Sequence, residues 1–457
     1  MTGGPFRVIE GGRGDDPSPG LLVVNASEVV TLEGGLRRGS EQAEVGRLSA
    51  LEAGGRDSAA APVVAVWDGR IVAVGPRGDT ERMLESEGYK LARFARLDAA
   101  GGAVTPGLID SHTHLLFAGA RDGELVLRQQ GAGYLETLEA GGGILSTVEA
   151  TRAATPEALA GHGRRWLDEM LGHGVTTIEA KSGYGLDLPT ELRLIEVAHD
   201  LGREGPIDVV STYLGAHAVP PEYRARPDGT EAYVRSVLED QLPGIAAHGR
   251  ARFCDVFCER GVFTQDQARR VLEAAAAYGL VPRLHADELA PSGGAELAAE
   301  LGAASADHLA RPSKAGMTAL AAAAEDDRPV VATVLPATTW FLMSNHYAPA
   351  REFIDRGIPV ALATDFNPGT SPTASLPLVM TVACLALRMS PDEALAAVTI
   401  NAAHALGLAD DIGSLEAGKA GDLVVWRVPT TTQIPYWPGA DLVRTVVKRG
   451  RVVLDRA

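Results

Sequence analysis

The sequence predicts an α/β protein in which a (β/α)8 TIM barrel is inserted into a small composite β-sandwich formed by the N- and C-terminal segments. The middle of the chain alternates short apolar runs with helix-length segments rich in Ala, Leu, Glu and Arg. Eight such β-then-α units are typical of a barrel. Runs with β character stand at both ends of the chain, and they predict that both ends contribute to one smaller domain.

The predicted domains follow from these runs. Residues 1–20 are rich in Gly, Asp and Pro, and we expect them to be a disordered tail. Residues 21–104 together with 411–457 are expected to form the composite β domain, with a flexible, solvated insertion at 35–61. Residues 105–410 are expected to form the catalytic barrel.

The β domain is predicted from four alternating runs. Two lie near the N-terminus, LLVVNASEVVTL and VVAVWDGRIVAVGP, and the second contains Asp68 followed by Gly69, a hairpin turn signal. The two C-terminal runs are AGDLVVWRV and DLVRTVVKRGRVVL, with Arg449 and Gly450 in a turn-like position. The similar character of all four runs predicts one domain built from both ends.

Nearly every predicted barrel strand finishes on a polar or ionisable residue. The eight runs end at GLIDSHTH, TTIEAKSG, VVSTYLGAH, CDVFCERG, PRLHADE, ASADHL, VVATVLPAT and PVALATDFN. The ionisable residues at these ends include His112, His114, Glu179, Lys181, His217, His285, His308 and Asp365. Catalytic groups in such barrels gather at the C-terminal ends of the strands, so this set predicts a metal-dependent site.

The first of these ends, Thr105–His114, reads TPGLIDSHTH. Residues two apart on a strand point to the same face, so His112 and His114 reach one point, as a divalent metal requires. A lone pair of this kind also fits two surface histidines. The ionisable ends of the later strands decide in favour of a metal site.

Composition and charge exclude several classes of partner. The chain has 457 residues and a formal net charge of −17, so we expect no nucleic-acid partner, because phosphate binding needs clustered Lys and Arg. It has no run long enough to span a bilayer and no signal-peptide pattern, which predicts no membrane partner and a cytoplasmic location. The cysteines, Cys254, Cys258 and Cys384, are too few for a disulfide framework, and we interpret the C-x3-C pair as buried thiols.

Seven segments of the barrel region resemble the amidohydrolase superfamily. They are DSHTHLLFAGAR, EAKSGYGLD, YLGAHAVPPEY, DVFCERGVF, LHADEL, SADHL and ATDFNPGTSPT, in order between about residues 104 and 410. Residues 1–20 and 35–61 fall outside the resemblance. Within the superfamily, the resemblance implies an enzyme of histidine degradation that hydrolyses 4-imidazolone-5-propanoate to N-formimidoyl-L-glutamate. It also implies a homodimer.

The predicted metal ligands are His112, His114, His285 and Asp365. They supply imidazole nitrogen and carboxylate oxygen at the ends of strands one, five and eight, which suits one Zn²⁺ or Fe²⁺ per subunit. A metal of this kind lowers the pKa of a bound water towards about 7, so hydrolysis is the expected chemistry. Lys181 ends the second strand and the fourth ends in CERG, so the bridging lysine that binuclear relatives carry on the fourth strand is missing.

Three residues are predicted to take part in catalysis: Asp365, His308 and Glu288. His308 has the ordinary pKa range for accepting the proton of the water, although it also fits a fifth metal ligand. Glu288 follows His285 by three residues and fits either a hydrogen bond to water or substrate, or an orienting role. The division of the proton transfers among the three is open.

Substrate contacts are implied mainly by the resemblance. Arg121 matches a residue that grips a propionate tail, and its guanidinium suits a carboxylate. On the residues alone it also fits a solvated loop charge, and the turn-forming segment 365–370 fits a simple turn. The predicted substrate-binding set is Arg121, Tyr184, His217, Glu288, Asn367, Gly369 and Thr370.

Two other functions fit parts of this pattern. A purine or pterin aminohydrolase has the same metal chemistry but needs no clamp for a carboxylate, so an effect of Arg121→Ala on affinity discriminates against it. A barrel kept as a binding or assembly module needs no metal. The complete set of ligands argues against that second alternative.

Overall fold

The computed structural model describes residues 7–8, 20–131 and 143–456. Most of the predicted tail at 1–20 lies outside these ranges. Within it, Arg7–Val8 forms a strand that pairs antiparallel with the last strand of the chain.

The strands fall into three sheets. In chain order they are β1 Arg7–Val8, β2 Gly20–Val24, β3 Glu28–Val30, β4 Arg47–Ser49, β5 Pro62–Trp67, β6 Arg70–Pro76, β7 Phe94–Asp98, β8 Ala103–Pro106, β9 Leu108–Asp110, β10 Val175–Lys181, β11 Asp208–Ala216, β12 Phe253–Cys258, β13 Val281–Ala286, β14 Ser305–His308, β15 Val331–Val334, β16 Val360–Leu362, β17 Leu423–Trp426, β18 Val443–Lys448 and β19 Arg451–Asp455.

The α-helices lie mainly between the barrel strands. In chain order they are α1 Arg77–Ser86, α2 Gly123–Gln129, α3 Ile144–Ala153, α4 Pro156–Gly172, α5 Leu188–Glu204, α6 Pro221–Arg224, α7 Gly229–Ser236, α8 Leu242–His248, α9 Gln265–Ala277, α10 Gly294–Glu300, α11 Lys314–Ala323, α12 Pro336–Phe341, α13 Ala350–Asp355, α14 Leu376–Ala386, α15 Pro391–Ala397 and α16 Ile400–Ala405. Within the described ranges, no helix combines the length and the apolar character needed to cross a membrane.

Strands β9 to β16 form an eight-stranded parallel sheet in simple sequential order. Backbone hydrogen bonds join the first and last strands of the sheet just beyond their ends, where Asp365 N donates to His112 O at 3.0 Å. One step further, His114 N donates to Phe366 O at 2.9 Å. The predicted (β/α)8 barrel is therefore confirmed, and three of the four residues in these two bonds belong to the predicted metal set.

The remaining strands form two sheets that pack face to face. One has the order β1-β19-β18-β17-β8-β3-β4 and the other β6-β5-β2-β7. Both ends of the chain contribute to the first sheet, and buried Val and Leu side chains of the two sheets share one apolar cluster. The composite β-sandwich is confirmed as part of the predicted fold class.

Both predicted hairpin turns occur in the sandwich. Asp68 and Gly69 join β5 to β6 with φ values of 49° and 75°. Arg449 and Gly450 join β18 to β19 with φ values of 46° and 71°. Positive φ at both central residues is what a type I′ turn requires.

The segment 35–61 differs from the expected solvated insertion. Part of it forms a 3-10 helix, Gly39–Ala43, and strand β4. Gln42 in that helix is fully buried and exchanges two hydrogen bonds with the backbone of Val360 in β16. These bonds hold this part of the segment against the barrel.

The sandwich and the barrel meet at Gly107, the single residue between β8 and β9. A Cβ there would lie 2.2 Å from Thr176 Oγ1, so only glycine permits this close approach. The boundary proposed at residues 104/105 lies inside β8. The chain thus passes from a sandwich strand to the first barrel strand without a linker.

The thiols are buried as predicted for the C-x3-C pair. Cys254 and Cys258 lie on β12 with fully buried side chains, and Cys384 is half-buried on α14. All three are free. Burial raises the pKa of Cys258 to about 12 and that of Cys384 to about 11, so neither thiol is ionised near neutral pH.

Candidate metal centre

The predicted ligands converge at the C-terminal end of the barrel. His112 and His114 follow β9 by two and four residues, His285 lies on β13, and Asp365 follows β16 by three residues. Asp365 Oδ1 lies 3.5 Å from the Nε2 atoms of both His112 and His114, and His285 Nε2 lies 3.4 Å from His114 Nε2. The candidate ligand atoms of the three histidines lie within 4.8 Å of one another, and Asp365 lies beside two of them.

His308 at the end of β14 joins the same cluster. Its ring centroid lies 5.4 Å from that of His112 and 5.0 Å from that of His285. With His112 and Asp365 it forms a second group whose candidate ligand atoms are mutually within 4.8 Å. The geometry therefore accommodates His308 either as a fifth ligand or as a proton acceptor beside the ion.

Two buried carboxylates orient the imidazoles. His112 Nδ1 lies 2.7 Å from Asp307 Oδ2, and His285 Nδ1 lies 3.0 Å from Asp255 Oδ2. A ring whose Nδ1–H donates to a carboxylate presents the lone pair of Nε2 on its other side, which is the form that binds metal. The two rings are thus fixed in tautomer and direction.

The residues fit a divalent cation. The Nε2 atoms of His112 and His308 are buried and make no hydrogen bond, and such atoms are rare unless a ligand occupies the space between them. Burial and nearby Lys181 act to lower the pKa of His112, but its contacts with Asp307 and Asp365 outweigh them and raise it to about 9. The site therefore favours positive charge at this point.

Asp365 contributes a carboxylate to the cluster, and Thr338 fixes its orientation. Thr338 Oγ1 donates to Asp365 Oδ2 at 2.6 Å, leaving Oδ1 toward the histidines. Burial acts to raise the pKa of Asp365, but its contacts with His112 and His308 lower it to about 2. Asp365 is therefore ionised at neutral pH. Its φ of 52° and the φ of 73° at His308 are uncommon for such residues and are found preferentially at functional sites.

Glu288 lies at the edge of the cluster, on the loop after β13. Its Oε2 is 3.7 Å from His308 Nδ1, and its side chain is 14% exposed. Burial and the neighbouring carboxylates of Asp365 and Glu259 raise the pKa of Glu288 to about 8. A carboxyl group with such a pKa can exchange a proton near neutral pH.

A cavity opens over the cluster. Its walls bring together most of the predicted site residues with two apolar side chains: His114, Arg121, Ile144, Tyr184, His217, Phe257, His285, Glu288, His308, Asp365, Asn367 and Thr370. His112 is fully buried behind this wall. Gly369 is the other predicted site residue outside the lining.

Gly369 lies directly behind Arg121. A Cβ on Gly369 would be 2.1 Å from Arg121 Nη1, so this glycine leaves room for the guanidinium. Arg121 is also held by Glu124, whose two carboxylate oxygens accept from Nε and Nη2 at 2.9 Å each. The guanidinium is therefore fixed in position at the wall of the cavity.

The segment after Asp365 is a turn tied together by one amide. Asn367 Oδ1 accepts from Gly369 N at 2.9 Å and from Thr370 N at 2.7 Å. Asn367 Nδ2 donates to Asp365 O at 2.6 Å. The turn thus places Asn367 and Thr370 on the cavity wall while it also holds the backbone of Asp365.

Tyr184 and His217 form the opposite wall. The His217 ring stacks on His114 with centroids 4.9 Å apart and planes 14° from parallel, and its Nδ1 lies 3.0 Å from Gly183 O. Burial and neighbouring His285 lower the pKa of His217 to about 3. His217 is therefore a neutral ring at working pH, able to accept or donate one hydrogen bond.

Four functional residues were not identified from the sequence: Asp255, Asp307, Arg283 and Glu191. The first three lie inside barrel strands and are fully buried, where a charged residue is rare unless paired. A charged residue inside an apolar strand run, as in CDVFC and PRLHA, was the available signal. Glu191 in α5 accepts hydrogen bonds from the backbone of the loop that carries Tyr184.

Comparisons with known proteins agree with this site. The sequence model described as the amidohydrolase family matches residues 103–453. A curated relative from Geobacillus kaustophilus (strain HTA426) named imidazolonepropionase is 51% identical over 437 residues, which cover 95% of this chain and 98% of the relative. A relative of the same name from Geobacillus sp. (strain WCH70) is 49% identical over 436 residues, with coverages of 95% and 98%.

A solved structure supports the fold. An adenosine deaminase from Xanthomonas campestris with bound zinc is 20% identical and has a TM-score of 0.64, covering 94% of this chain and 92% of the deaminase. At that identity the likeness extends to the fold alone, so it lends no support to the aminohydrolase alternative. The chain belongs to the amidohydrolase family and, within it, to the imidazolonepropionases.

Proposed function

We propose that the protein hydrolyses the ring amide of 4-imidazolone-5-propanoate and releases N-formimidoyl-L-glutamate, a step of histidine degradation. The observation that carries the proposal is one cavity that joins a histidine–aspartate cluster to a fixed guanidinium, Arg121. The first group suits the hydrolysis of an amide and the second suits a carboxylate tail. The near-full-length similarity to relatives named imidazolonepropionase supports the same substrate.

We propose one divalent metal per chain, Zn²⁺ or Fe²⁺, held by His112, His114, His285 and Asp365. Three imidazoles and one carboxylate suit either ion. When bound, the metal supplies a Lewis acid that makes water a better nucleophile at neutral pH. Lys181 Nζ lies 2.7 Å from Glu179 and 2.8 Å from Asp255, and an ammonium held in ion pairs is not available to bridge a second metal as a carbamate.

In this proposal, side chains of the protein transfer the protons of the reaction. The oxygen of water adds to the ring carbonyl carbon, the C–N bond breaks, and the ring nitrogen leaves with a proton. Glu288 accepts a proton from the water, and His308, 3.7 Å away, is placed to share or relay it. Asp365 keeps its negative charge and orients the attack.

The cavity walls hold the rest of the substrate. Arg121 binds the propionate, since Glu124 and Gly369 fix its guanidinium against the cavity. Tyr184 and His217 contact the substrate from the opposite wall, and the turn of Asn367 and Thr370 lies beside it. Each contact orients the ring so that its carbonyl faces the metal centre.

The assembly and location are proposed with the function. We propose a homodimer in the cytoplasm, without nucleic-acid or membrane partners. The net charge of −17 and the three free, mostly buried cysteines support this setting. Light scattering after gel filtration should give twice the chain mass, and a single-chain mass would contradict the dimer.

The function is tested by hydrolysis of freshly prepared imidazolone propionate, followed by loss of ring absorbance. The His112→Ala variant should lose metal and activity together, whereas His199→Ala, on the surface helix α5, should keep both. Gly369→Ala places a methyl group on Arg121, so it should raise KM at least tenfold while the metal content stays unchanged.

Gly123→Ala is the matched control for Gly369→Ala, because its Cβ would meet no atom within 4 Å. This variant should behave as wild type. Metal-loaded protein that fails to hydrolyse the compound, or a Gly369→Ala variant with unchanged KM, would contradict the assigned substrate or its grip by Arg121.

A further inference from the structure

Lys181 is a buried cation that the proposed reaction does not use. It ends β10, and its side chain is fully buried. Its Nζ lies 2.7 Å from Glu179 Oε1, 2.8 Å from Asp255 Oδ2 and 3.5 Å from Asp307 Oδ2. A buried ammonium is costly unless it is paired, so its position beneath the metal centre requires an explanation.

The explanation starts from two of its three partners. Asp255 Oδ2 also accepts from His285 Nδ1 at 3.0 Å, and Asp307 Oδ2 accepts from His112 Nδ1 at 2.7 Å. Each carboxylate therefore shares one oxygen atom between the lysine and an imidazole. Lys181 connects the supports of two metal ligands that come from strands on different sides of the barrel.

The charges of this group are nearly balanced. Three carboxylates, those of Glu179, Asp255 and Asp307, face two cations, Lys181 and Arg283, whose Nη2 lies 3.1 Å from Asp307 Oδ2. All five side chains are fully buried. Without Lys181, Asp255 would lose its ion pair with the lysine and the remaining cation, Arg283, contacts Asp307, so the carboxylates would reorient.

We propose that Lys181 is a positioning residue of the metal centre. Its ammonium holds the carboxylates of Asp255 and Asp307 in place, and those carboxylates direct the two imidazoles at the metal. The lysine acts through these neighbours and does not itself contact metal or substrate. The inference rests on the metal centre proposed above and is independent of which substrate the protein hydrolyses.

Removing Lys181 changes metal affinity in opposite directions for a positioning residue and for a lysine that acts only through its charge. A cation near a metal repels it, so removing an inert Lys181 would tighten metal binding. Removing a positioning Lys181 weakens metal binding, because the imidazoles lose their fixed direction. A lysine that only stabilises the barrel would change unfolding and leave metal affinity unaltered.

The test is the Lys181→Met variant, which keeps the length of the side chain and removes its charge. Zn²⁺ affinity is measured by competition with a chelator, without substrate, and should fall about 10–100-fold. The visible spectrum of the Co²⁺-loaded variant should also change in position or intensity, since it reports the ligand geometry. Unchanged or tighter Zn²⁺ binding by folded protein would overturn the proposal.

Lys448→Met is the matched control. Lys448 is also buried, at 7% exposure, and pairs with Asp422 at 2.6 Å and Asp208 at 2.8 Å, but it lies on β18 in the sandwich. This variant should lower stability and leave Zn²⁺ affinity and the Co²⁺ spectrum as in wild type. A loss of affinity equal to that of Lys181→Met would show a general effect of burying a cation, and would also overturn the proposal.

A second variant covers the case in which Lys181→Met does not fold. Asp255→Asn keeps the shape of the side chain and removes the charge that Lys181 binds. It should weaken Zn²⁺ binding and alter the Co²⁺ spectrum, and normal values for both would overturn the proposal. Protein that binds Zn²⁺ as expected but does not hydrolyse imidazolone propionate would refute only the proposed function.

Discussion

Glu288 lies beside the proposed metal centre and has a raised pKa. Its carboxylate faces His308, and burial together with two neighbouring carboxylates raises its pKa to about 8. Only the ionised form accepts a proton from water. If Glu288 accepts the proton as proposed, we expect its pKa to set the acidic limb of the pH dependence.

The prediction for Glu288 concerns the acidic limb of the pH profile. Between about pH 5 and 8, kcat/KM should rise with pH as Glu288 loses its proton, with a midpoint below 8 because a bound cation favours the carboxylate. For Glu288→Gln, kcat/KM should be lower by about 10²–10⁴-fold, and its rise with pH over this range should disappear. The measurement is kcat/KM against pH for both proteins.

The control for that experiment is the metal content of the variant. Glu288 is not among the proposed ligands, so Glu288→Gln should bind Zn²⁺ as wild type. If the variant keeps the same acidic limb at reduced rate, another group accepts the proton, and His308 is the next to be replaced.

Residues at strand ends could be predicted from the sequence, whereas their supports could not. His112, His285 and Asp365 stand where apolar runs stop, a local signal. Asp255 lies inside an apolar run, and its role depends on the pairing of β12 with β13, thirty residues apart along the chain. That pairing is a tertiary contact, which a local pattern does not contain.

The loop after β10, which places Tyr184 on the cavity wall, is held by the helix that follows it. Glu191, in the first turn of α5, is fully buried. Its carboxylate accepts from the backbone nitrogens of Gly183 at 2.9 Å, Gly185 at 2.8 Å and Leu186 at 2.8 Å. These bonds fix the backbone on both sides of Tyr184.

Glu191→Gln should loosen this loop. An amide replaces one acceptor oxygen by an NH₂ group that faces backbone donors, so buried N–H groups lose their partner at a cost of about 1–3 kcal/mol. KM should rise because Tyr184 moves, and the free energy of unfolding in urea should fall. Both quantities are measured on the same preparation.

Glu204→Gln, at the other end of α5, provides the comparison. Glu204 is exposed and pairs with Arg164 at 2.8 Å, so its replacement should change stability by less than about 1 kcal/mol. A wild-type KM for Glu191→Gln would mean that the loop keeps Tyr184 in place without this carboxylate.

At the scale of elements, turns and strand runs were predictable and the segment 39–49 was not. The Asp68–Gly69 turn has a strong local preference, and the structure contains it. The 3-10 helix at Gly39–Ala43 is held by bonds from Gln42 to the backbone of Val360, 318 residues away. The composition of the segment predicts that it is solvated, because composition carries no information about a contact with a residue so far along the chain.

The chain passes between its two domains twice, and the first passage has no linker. Strand β8 belongs to the sandwich, and β9 of the barrel follows after Gly107 alone. The fold class was predictable because both ends of the chain carry the same β pattern, but the pairing of β8 with β17 and β3 depends on contacts across the chain. This continuity predicts that the domains do not unfold separately.

Calorimetry of the metal-loaded and metal-free protein tests this. Unfolding should be a single transition, and a chelator should shift it to lower temperature, because a ligand at 100 times its Kd stabilises the folded state by about 2.7 kcal/mol. Added Zn²⁺ should restore the transition of the metal-loaded protein. Two transitions, of which only one responds to metal, would show that the sandwich unfolds independently.

The junction at Gly107 also bears on how such a protein can be rearranged. His112, the first of the proposed metal ligands, lies six residues after the last residue of β8, so the sandwich fixes the backbone that leads to it. A barrel grafted without that sheet would lose the anchor of its own active centre. Exchange of modules between relatives therefore has to carry the sandwich along with the first barrel strand.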